Sequence, residues 1–236
     1  MNSNALIPKE LKNYFTLGLS IDCVVFGFDG EKLKVLLIER GDNPFKGYWA
    51  LPGDLLAPDK DLNSSVNEVL NDLTGLNDLF FEQVETFGEV DRHPFGRVLT
   101  TSYYTLVKIS DYELNPSSFA CEAKWFNIED VAELAFDHNK IQNTCFNKLQ
   151  SSIRIKPIGF ELLPPKFTLT ELQLLYEAIL GLKLDTRNFR KKILSMEFLI
   201  NTGSLQENVS HRPAKLFEFD EVRYKTITEN GFAFEI

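Results

Sequence analysis

Apolar and polar positions change rhythm along this chain. In the first part the apolar residues come in short runs. Leu17 to Phe28 (LGLSIDCVVFGF) and Leu33 to Ile38 (LKVLLI) flank the turn signal Asp29-Gly30, which reads as a β-hairpin. Phe80 to Val90, Val98 to Ile109 (VLTTSYYTLVKI) and Lys124-Trp125-Phe126 are further strand-like runs. One stretch between them has another period. Leu62, Val66, Val69 or Leu70, and Leu73 recur at helical spacing, and Thr74-Gly75 follows; this predicts an amphipathic helix closed by a left-handed glycine. A short helix is expected over Ile128 to Leu134 and another over about residues 138–151, after Phe136-Asp137-His138. Residues 1–16 read as a polar lead-in with a short helical turn. Strands in this order with flanking helices predict an α-β-α sandwich on a mixed sheet.

From residue 153 the pattern differs. IRIKPIGFELLPPKF (residues 153–167) carries three prolines and a glycine and reads as an inter-domain connection, apolar enough to be packed. The expected domains are 1–155 and 156–236. Thr168 or Thr170 can cap a helix with Glu171 in its first turn, and Gly181 ends it. Asp185 is a good N-cap for a second helix, TRNFRKKILSMEFLI, with Phe189, Ile193, Met196 and Ile200 on one face. Arg187, Asn188, Arg190 and Lys191 fall off that face. A turn-rich stretch, Asn201 to Arg212, precedes a strand over Pro213 to Phe219. Helix, short turn, basic helix and hairpin is the layout of a winged helix-turn-helix, so the fold class expected for the whole chain is α+β. Guanidinium and ammonium groups suit guanine edges and phosphates, and Asn suits adenine edges. His211 and Arg212 are placed for a wing contact.

The net charge of −9 argues against nucleic acid until its distribution is considered. Residues 1–159 hold 15 Lys+Arg against 23 Asp+Glu, whereas residues 160–236 hold 10 against 11. The acidity therefore belongs to the first part, and a chain-wide sum says little about a local surface. Cys23, Cys121 and Cys145 are widely spaced, and so are the three histidines; neither set makes a disulfide framework or a zinc site. No run of roughly 18 apolar residues indicates a membrane span, and the N-terminus lacks the form of a secretory signal. A cytoplasmic protein without a cofactor or resident metal is expected.

The stretch GYWALPGDLLAPDKDLNSSVNEVLNDLTGL (residues 47–76) resembles the Nudix box in spacing and framework. With Gly75-Leu76 as its closing pair, the opening glycine falls on Asp54 and the first glutamate on Lys60. The Arg-Glu pair falls on Glu68-Val69, the aliphatic position on Leu70, and the Glu-Glu pair on Asp72-Leu73. The family uses the helix carboxylates to hold Mg²⁺ against a diphosphate, and several hard oxygen ligands must converge for that. Asp72 is the one acid kept in register, so no catalytic residue is assigned and the domain is expected to sense a ligand without hydrolysing it.

The second half adds an independent resemblance. PIGFELLPPKFTLTELQLLYEAILG, LDTRNFRKKIL and HRPAKLFEF look like the winged helix domain of the Nudix-related transcriptional regulators, the NrtR-type family. Arg187, Asn188, Phe189, Arg190, Lys191 and Lys192 match its recognition helix, and Arg212-Pro213-Ala214 match its wing. The resemblance implies a ligand-responsive transcription factor that binds double-stranded DNA as a homodimer. Its effector would be an ADP-ribose-type nucleotide or, in a sugar-catabolism branch, a pentose such as arabinose. The loop DRHPFGRV resembles the family's D-R-D-P-R-G-R-V, with Asp91, Arg92 and Arg97 matching. Those three and Arg40 are the candidate effector residues, with Trp49 and Asp137-His138 as weaker ones. Phe95 in place of an arginine leans towards a neutral sugar. The alternative is a Mg²⁺-dependent hydrolase of an ADP-ribose-like nucleoside diphosphate; a blander one is an interaction module that no longer binds DNA.

Overall fold

The computed structural model describes residues 16–77, 79–207, 209, 212–229 and 234–235. Strand β1 (Gly18–Phe28) is the axis of the first domain. It runs parallel to β6 (Val98–Lys108) along its whole length. On its other edge it is shared: its end pairs with β2 (Leu33–Arg40), and its beginning pairs with β4 (Gly53–Leu55). Strand β2 peels away to pair with β3 (Trp49–Ala50) and β7 (Ala120–Asn127), and β5 (Phe81–Phe87) lies outside β6. The sheet is thus mixed and opens where β2 leaves and β4 enters.

Alternation along β1 sends its side chains to two cores. Ile21, Cys23 and Val25 join Val66 and Leu70 of helix α1 (Leu62–Thr74). Val24, Phe26 and Phe28 join Ile141, Cys145, Leu149 and Ile153 of helix α2 (His138–Ile155) on the opposite face. This is the expected α-β-α sandwich. Helix α1 begins at the Asp61 cap and ends at Gly75, φ 83°. Several extents differ from expectation: β7 runs over Ala120–Asn127, well beyond Lys124 to Phe126, and β2 continues to Arg40. Over Ile128–Asp130 the chain makes a 3-10 turn, not a helix to Leu134. β5 is shorter than Phe80 to Val90, and α2 runs on to Ile155.

The segment after α2 is packed, as its apolar content requires. A 3-10 turn over Ile158–Leu162 buries Phe160 and Leu162. Helix α3 (Leu169–Leu180) opens with a complete capping box, Thr168 with Glu171, and closes at Gly181, φ 67°. Helix α4 (Thr186–Ser195) is capped by Asp185. Strands β8 (Leu199–Leu205) and β9 (Lys215–Phe219) form an antiparallel hairpin, to which Phe167 adds a bridge at Phe217. Helix α5 (Glu221–Glu229) follows. Here sequence periodicity misplaced a boundary: α4 stops at Ser195, and Ile200, expected on its buried face, lies in β8 at 46% exposure. Part of the stretch read as turn-rich is that strand. The chain turns at Glu197, whose φ is 59° and whose carboxylate is held by Arg223 at 2.7 Å. A helix stop without glycine leaves no ordinary mark. One apolar core runs from β1 and α2 through Leu172, Leu175 and Tyr176 to Phe198 and Phe217. No helix among the described residues is long and apolar enough to cross a membrane.

Candidate effector cavity and nucleic-acid interface

The opening of the sheet makes a cavity of about 300 Å³. Ser20 and Asp22 of β1, Gly53, Asp54 and Leu55 at β4, and Thr100 of β6 supply its sheet side. Arg40 lies at the end of β2, and Arg92, His93 and Phe95 come from the loop before β6. Phe119, Phe136 and His138 also line it, and Asp42, Asn43, Pro44 and Val98 complete the wall.

Arg92 is the centre of the floor, its side chain only 4% exposed. Its Nε donates to Asp137 Oδ2 at 2.9 Å and its Nη2 to Asp137 Oδ1 at 2.6 Å, a two-pronged pair. Its Nη1 donates to Thr100, and Nη2 stands 3.9 Å from Asp22. Asp137 is the residue before α2, and its carboxylate serves Arg92, with no cap bond to the helix. His138 Nδ1 accepts from the Leu51 backbone N–H at 2.9 Å, while Nε2 faces Asp22 Oδ1 at 3.6 Å. Burial pushes the His138 pKa down to about 3, helped by Arg92 and Arg40, so the ring is neutral. Burial pushes the Asp22 carboxyl up to about 7; Arg92 opposes this and Asp137 reinforces it. Gly53 admits no side chain, since a Cβ there would meet Asp22 Oδ1 at 1.9 Å.

The rim is aromatic. The Arg40 guanidinium lies 5.1 Å from the Phe119 ring centre and 5.0 Å from that of Phe136. Its Nε donates to the Pro44 carbonyl at 2.9 Å; no hydrogen bond among the described residues uses its terminal nitrogens. Burial lowers its pKa from the usual arginine value. His93 stacks on Phe136 at 5.2 Å and 11°. Phe136 itself has φ 54°, a conformation that is uncommon for a bulky side chain.

The four expected effector residues divide. Arg92 and Arg40 line the cavity. Asp91 and Arg97 do not: Asp91 is exposed, and Arg97 Nη1 ties down its own loop at the Gly88 carbonyl, 2.6 Å away. His138 is in the lining, and Asp137 orients Arg92 from behind it. Trp49 is half-buried against Phe126. Asp22, Thr100, Phe119 and Phe136 were missed.

A second cavity of about 240 Å³ lies beside α1, sharing Asp54 and Leu55 with the first. It is the region of the box. Glu68 and Asp72 project there with Lys60, Val69 and Leu73, so more acids surround it than the register suggested. Lys60 is paired with Glu68. Among the described residues no three His, Cys, Asp or Glu side chains converge to hold a metal ion.

In the other domain, α4 buries Phe189 and Ile193 against its neighbours and exposes Arg187, Asn188, Arg190, Lys191 and Lys192. Arg190 Nη2 donates to Thr170 at the start of α3, 2.9 Å away. No ion pair among the described residues involves Arg187, Lys191 or Lys192. Arg212 is exposed at the wing; His211 lies outside the described residues.

The NUDIX domain family matches residues 16–147, and the family described as the NrtR DNA-binding winged helix domain matches residues 159–219. Both occur in one chain, in the order of the two resemblances above. The chain belongs to the NrtR-type family. An NrtR-type relative from Acinetobacter baylyi, an ADPR responsive transcriptional repressor, is 33% identical over 205 residues, covering 85% of this chain and 81% of that one. NrtR of Shewanella oneidensis, solved with a 27mer DNA, is 29% identical with a TM-score of 0.70, over 85% of this chain and 93% of that one. The NUDIX domain of the same protein, solved with ADP ribose, is 31% identical with a TM-score of 0.52, over 56% and 87%. The first domain also resembles an ADP-ribose pyrophosphatase of Methanocaldococcus jannaschii, 32% identical over 139 residues, 59% of this chain and 81% of that one.

Proposed function

We propose that this NrtR-type chain is a transcriptional repressor that binds DNA through α4 and the wing and is controlled by ADP-ribose in the first domain. The observation that carries the ligand assignment is the cavity at Arg40. A guanidinium with unused terminal nitrogens sits between two aromatic rings, above a floor of buried hydroxyl and carboxyl groups. Arginine suits a diphosphate, aromatic faces suit a base, and Asp22, Ser20 and Thr100 suit ribose hydroxyls. Arg40 and Arg92 are the proposed effector residues, and Asp91 and Arg97 shape the loop. The S. oneidensis NUDIX domain solved with ADP ribose supports this choice over a pentose. The sequence argument for a neutral sugar from Phe95 loses its force, because that side chain is 73% exposed at the rim and the floor keeps its arginine. Arg187, Asn188, Arg190 and Lys191 are the proposed base and phosphate contacts, with Arg212 at the wing. The protein acts as a homodimer on paired half-sites, and the two functions divide near residues 155 and 156.

Fluorescence anisotropy on the duplex upstream of the protein's own gene cluster tests this. Sequence-selective binding that ADP-ribose alters and arabinose does not is expected. Binding that ignores sequence and vanishes at modest salt would leave only non-specific electrostatics. The M. jannaschii similarity favours a second reading, Mg²⁺-dependent hydrolysis. Assaying the same samples for AMP release decides it; no turnover is expected.

A further inference from the structure

The floor of the cavity at Arg40 holds groups that are paired and two that are not. Arg92 spends its nitrogens on Asp137 and Thr100, and Thr100 also bonds to Ser20. Asp22 and His138 are left over. The Asp22 side chain is 8% exposed and lines the cavity, yet no hydrogen bond among the described residues reaches its carboxyl. Arg92 Nη2 and His138 Nε2 stop 3.9 and 3.6 Å away, beyond hydrogen-bond length. The tautomer of His138 is fixed from behind. Its Nδ1 accepts from the Leu51 N–H and so carries no proton, and the neutral ring then holds its one proton on Nε2. No group among the described residues accepts it. Buried polar groups ordinarily have hydrogen-bond partners. Here a carboxyl and an N–H, 3.6 Å apart, line one cavity without any. Gly53 backs directly onto Asp22 Oδ1, and the buried Arg92 stands beside it, so the cavity is closed at this end.

We infer that Asp22 and His138 read the terminal ribose of the effector: one of two adjacent ring hydroxyls donates to the Asp22 carboxyl, and the other accepts from His138 Nε2–H. The inference rests on the ADP-ribose reading for its ligand and deepens it. The rim supplies aromatic faces for the base and Arg40 for the diphosphate, so the sugar beyond the diphosphate is the part that reaches the closed end. Each hydroxyl of a ribose is both donor and acceptor, and the carboxyl keeps an acceptor oxygen whether or not it is protonated. A nucleotide that ends at the diphosphate offers no such pair of hydroxyls. A site that hydrogen-bonds a hydroxyl rejects an analogue lacking it more strongly than an apolar pocket can. The pair therefore sets the preference for ADP-ribose over ADP.

Calorimetry on the full chain in EDTA tests this with three ligands: ADP-ribose, its analogue lacking the 2-hydroxyl of the terminal ribose, and ADP. Wild type is expected to bind the deoxy analogue about tenfold more weakly than ADP-ribose, or 1.4 kcal/mol. Asp22→Ala and His138→Ala should each weaken ADP-ribose about tenfold and hold ADP within about twofold, which also shows that the variants fold. A second readout needs no variant. In ¹⁵N spectra of histidine-labelled wild type, the His138 Nε2 signal should move with ADP-ribose and stay with ADP. If a variant loses ADP as well, these spectra decide. Equal wild-type affinity for ADP-ribose and the deoxy analogue overturns the inference and leaves the effector assignment standing. So do variants that keep full ADP-ribose affinity, or a His138 signal that ADP moves as far as ADP-ribose does. A wild type that binds neither ADP-ribose nor ADP overturns the effector assignment. Ribose 5-phosphate then tests the pair alone, and a His138 signal that it leaves in place overturns the pair too.

Discussion

The arginines of the two domains live in opposite surroundings. Arg92 is buried, with its nitrogens directed at Asp137, Thr100 and Asp22. Arg187, on α4, is exposed and has no ion-pair partner among the described residues. Desolvating a guanidinium is costly unless it is paired and hydrogen-bonded, so Arg92 carries its partners with it and the cavity is shaped before a ligand arrives. Arg187 stays hydrated and can exchange water and counterions for phosphate or a base edge. The same residue type is architecture in one place and an exposed side chain without an ion pair among the described residues in the other, and substitution should separate the two.

The largest effect is expected at Arg92. Arg92→Ala strands Asp137 beside Asp22 and should lower unfolding stability by about 3–5 kcal/mol, measured by urea denaturation. A variant as stable as the wild type would put Arg92 with Arg187 and erase the contrast.

The pH dependence of the floor comes next. The Asp22 pKa rises from 3.8 to about 7 on folding. Between those values the folded state holds a proton that the unfolded state has lost, so the Asp22 contribution to stability falls as pH rises. The His138 pKa drops from 6.5 to about 3. The unfolded state there holds the extra proton, and that contribution rises with pH over its own window. The two slopes oppose each other between roughly pH 4 and 6.5. Asp22→Asn removes only the falling one. The variant should gain stability over the wild type as pH rises from about 4 to 7, by on the order of a few kcal/mol at the upper end. Parallel stability curves for the two proteins would show that Asp22 does not titrate in this window.

On the exposed side the effects are smaller and of another kind. Arg187→Ala should change stability by no more than about 0.5 kcal/mol while weakening operator binding by about 1–3 kcal/mol, seen as an anisotropy shift at fixed salt. Loss of fold without loss of affinity would reverse the comparison. Smallest is Asp185→Ala, which removes the 2.8 Å bond to the Asn188 N–H. It should cost about 1 kcal/mol in thermal unfolding, and a gain in stability would show that this cap is not used in solution.

Much of this was legible in the sequence, for identifiable reasons. Strands and helices with one buried face announce their period, so β1, α1, α3 and the capping residues came out in place. The end of α4 did not, because Met196 and Ile200 keep helical spacing across a break made by a left-handed glutamate. The cavity was half legible. Its loop was found from Arg92, but Arg92 and Arg97 look alike in sequence, and only the path of the loop decides which turns inward. Asp22 was hidden among apolar neighbours: its strand position gives it the same face as Val24 and Phe26. Its partners, Arg92 and His138, come from a loop and a helix far along the chain. The Lys60–Glu68 pair was visible only as two departures from a pattern, because a pairing between substituted residues shows once the loop and helix are side by side.

Helix α2 has a consequence beyond its packing. It starts beside Arg92 and ends with Ile153 in the core shared with α3. It contains neither proline nor glycine, the usual seats of a kink. Its 18 residues at about 1.5 Å each run from the cavity floor to the core shared with α3, and it has the build of a connecting rod. A rod without a joint cannot absorb travel. Under the control proposed above, a displacement at its Asp137 end would reach the α3 end as the same stroke, and the stiffness of one helix would set the precision of the response.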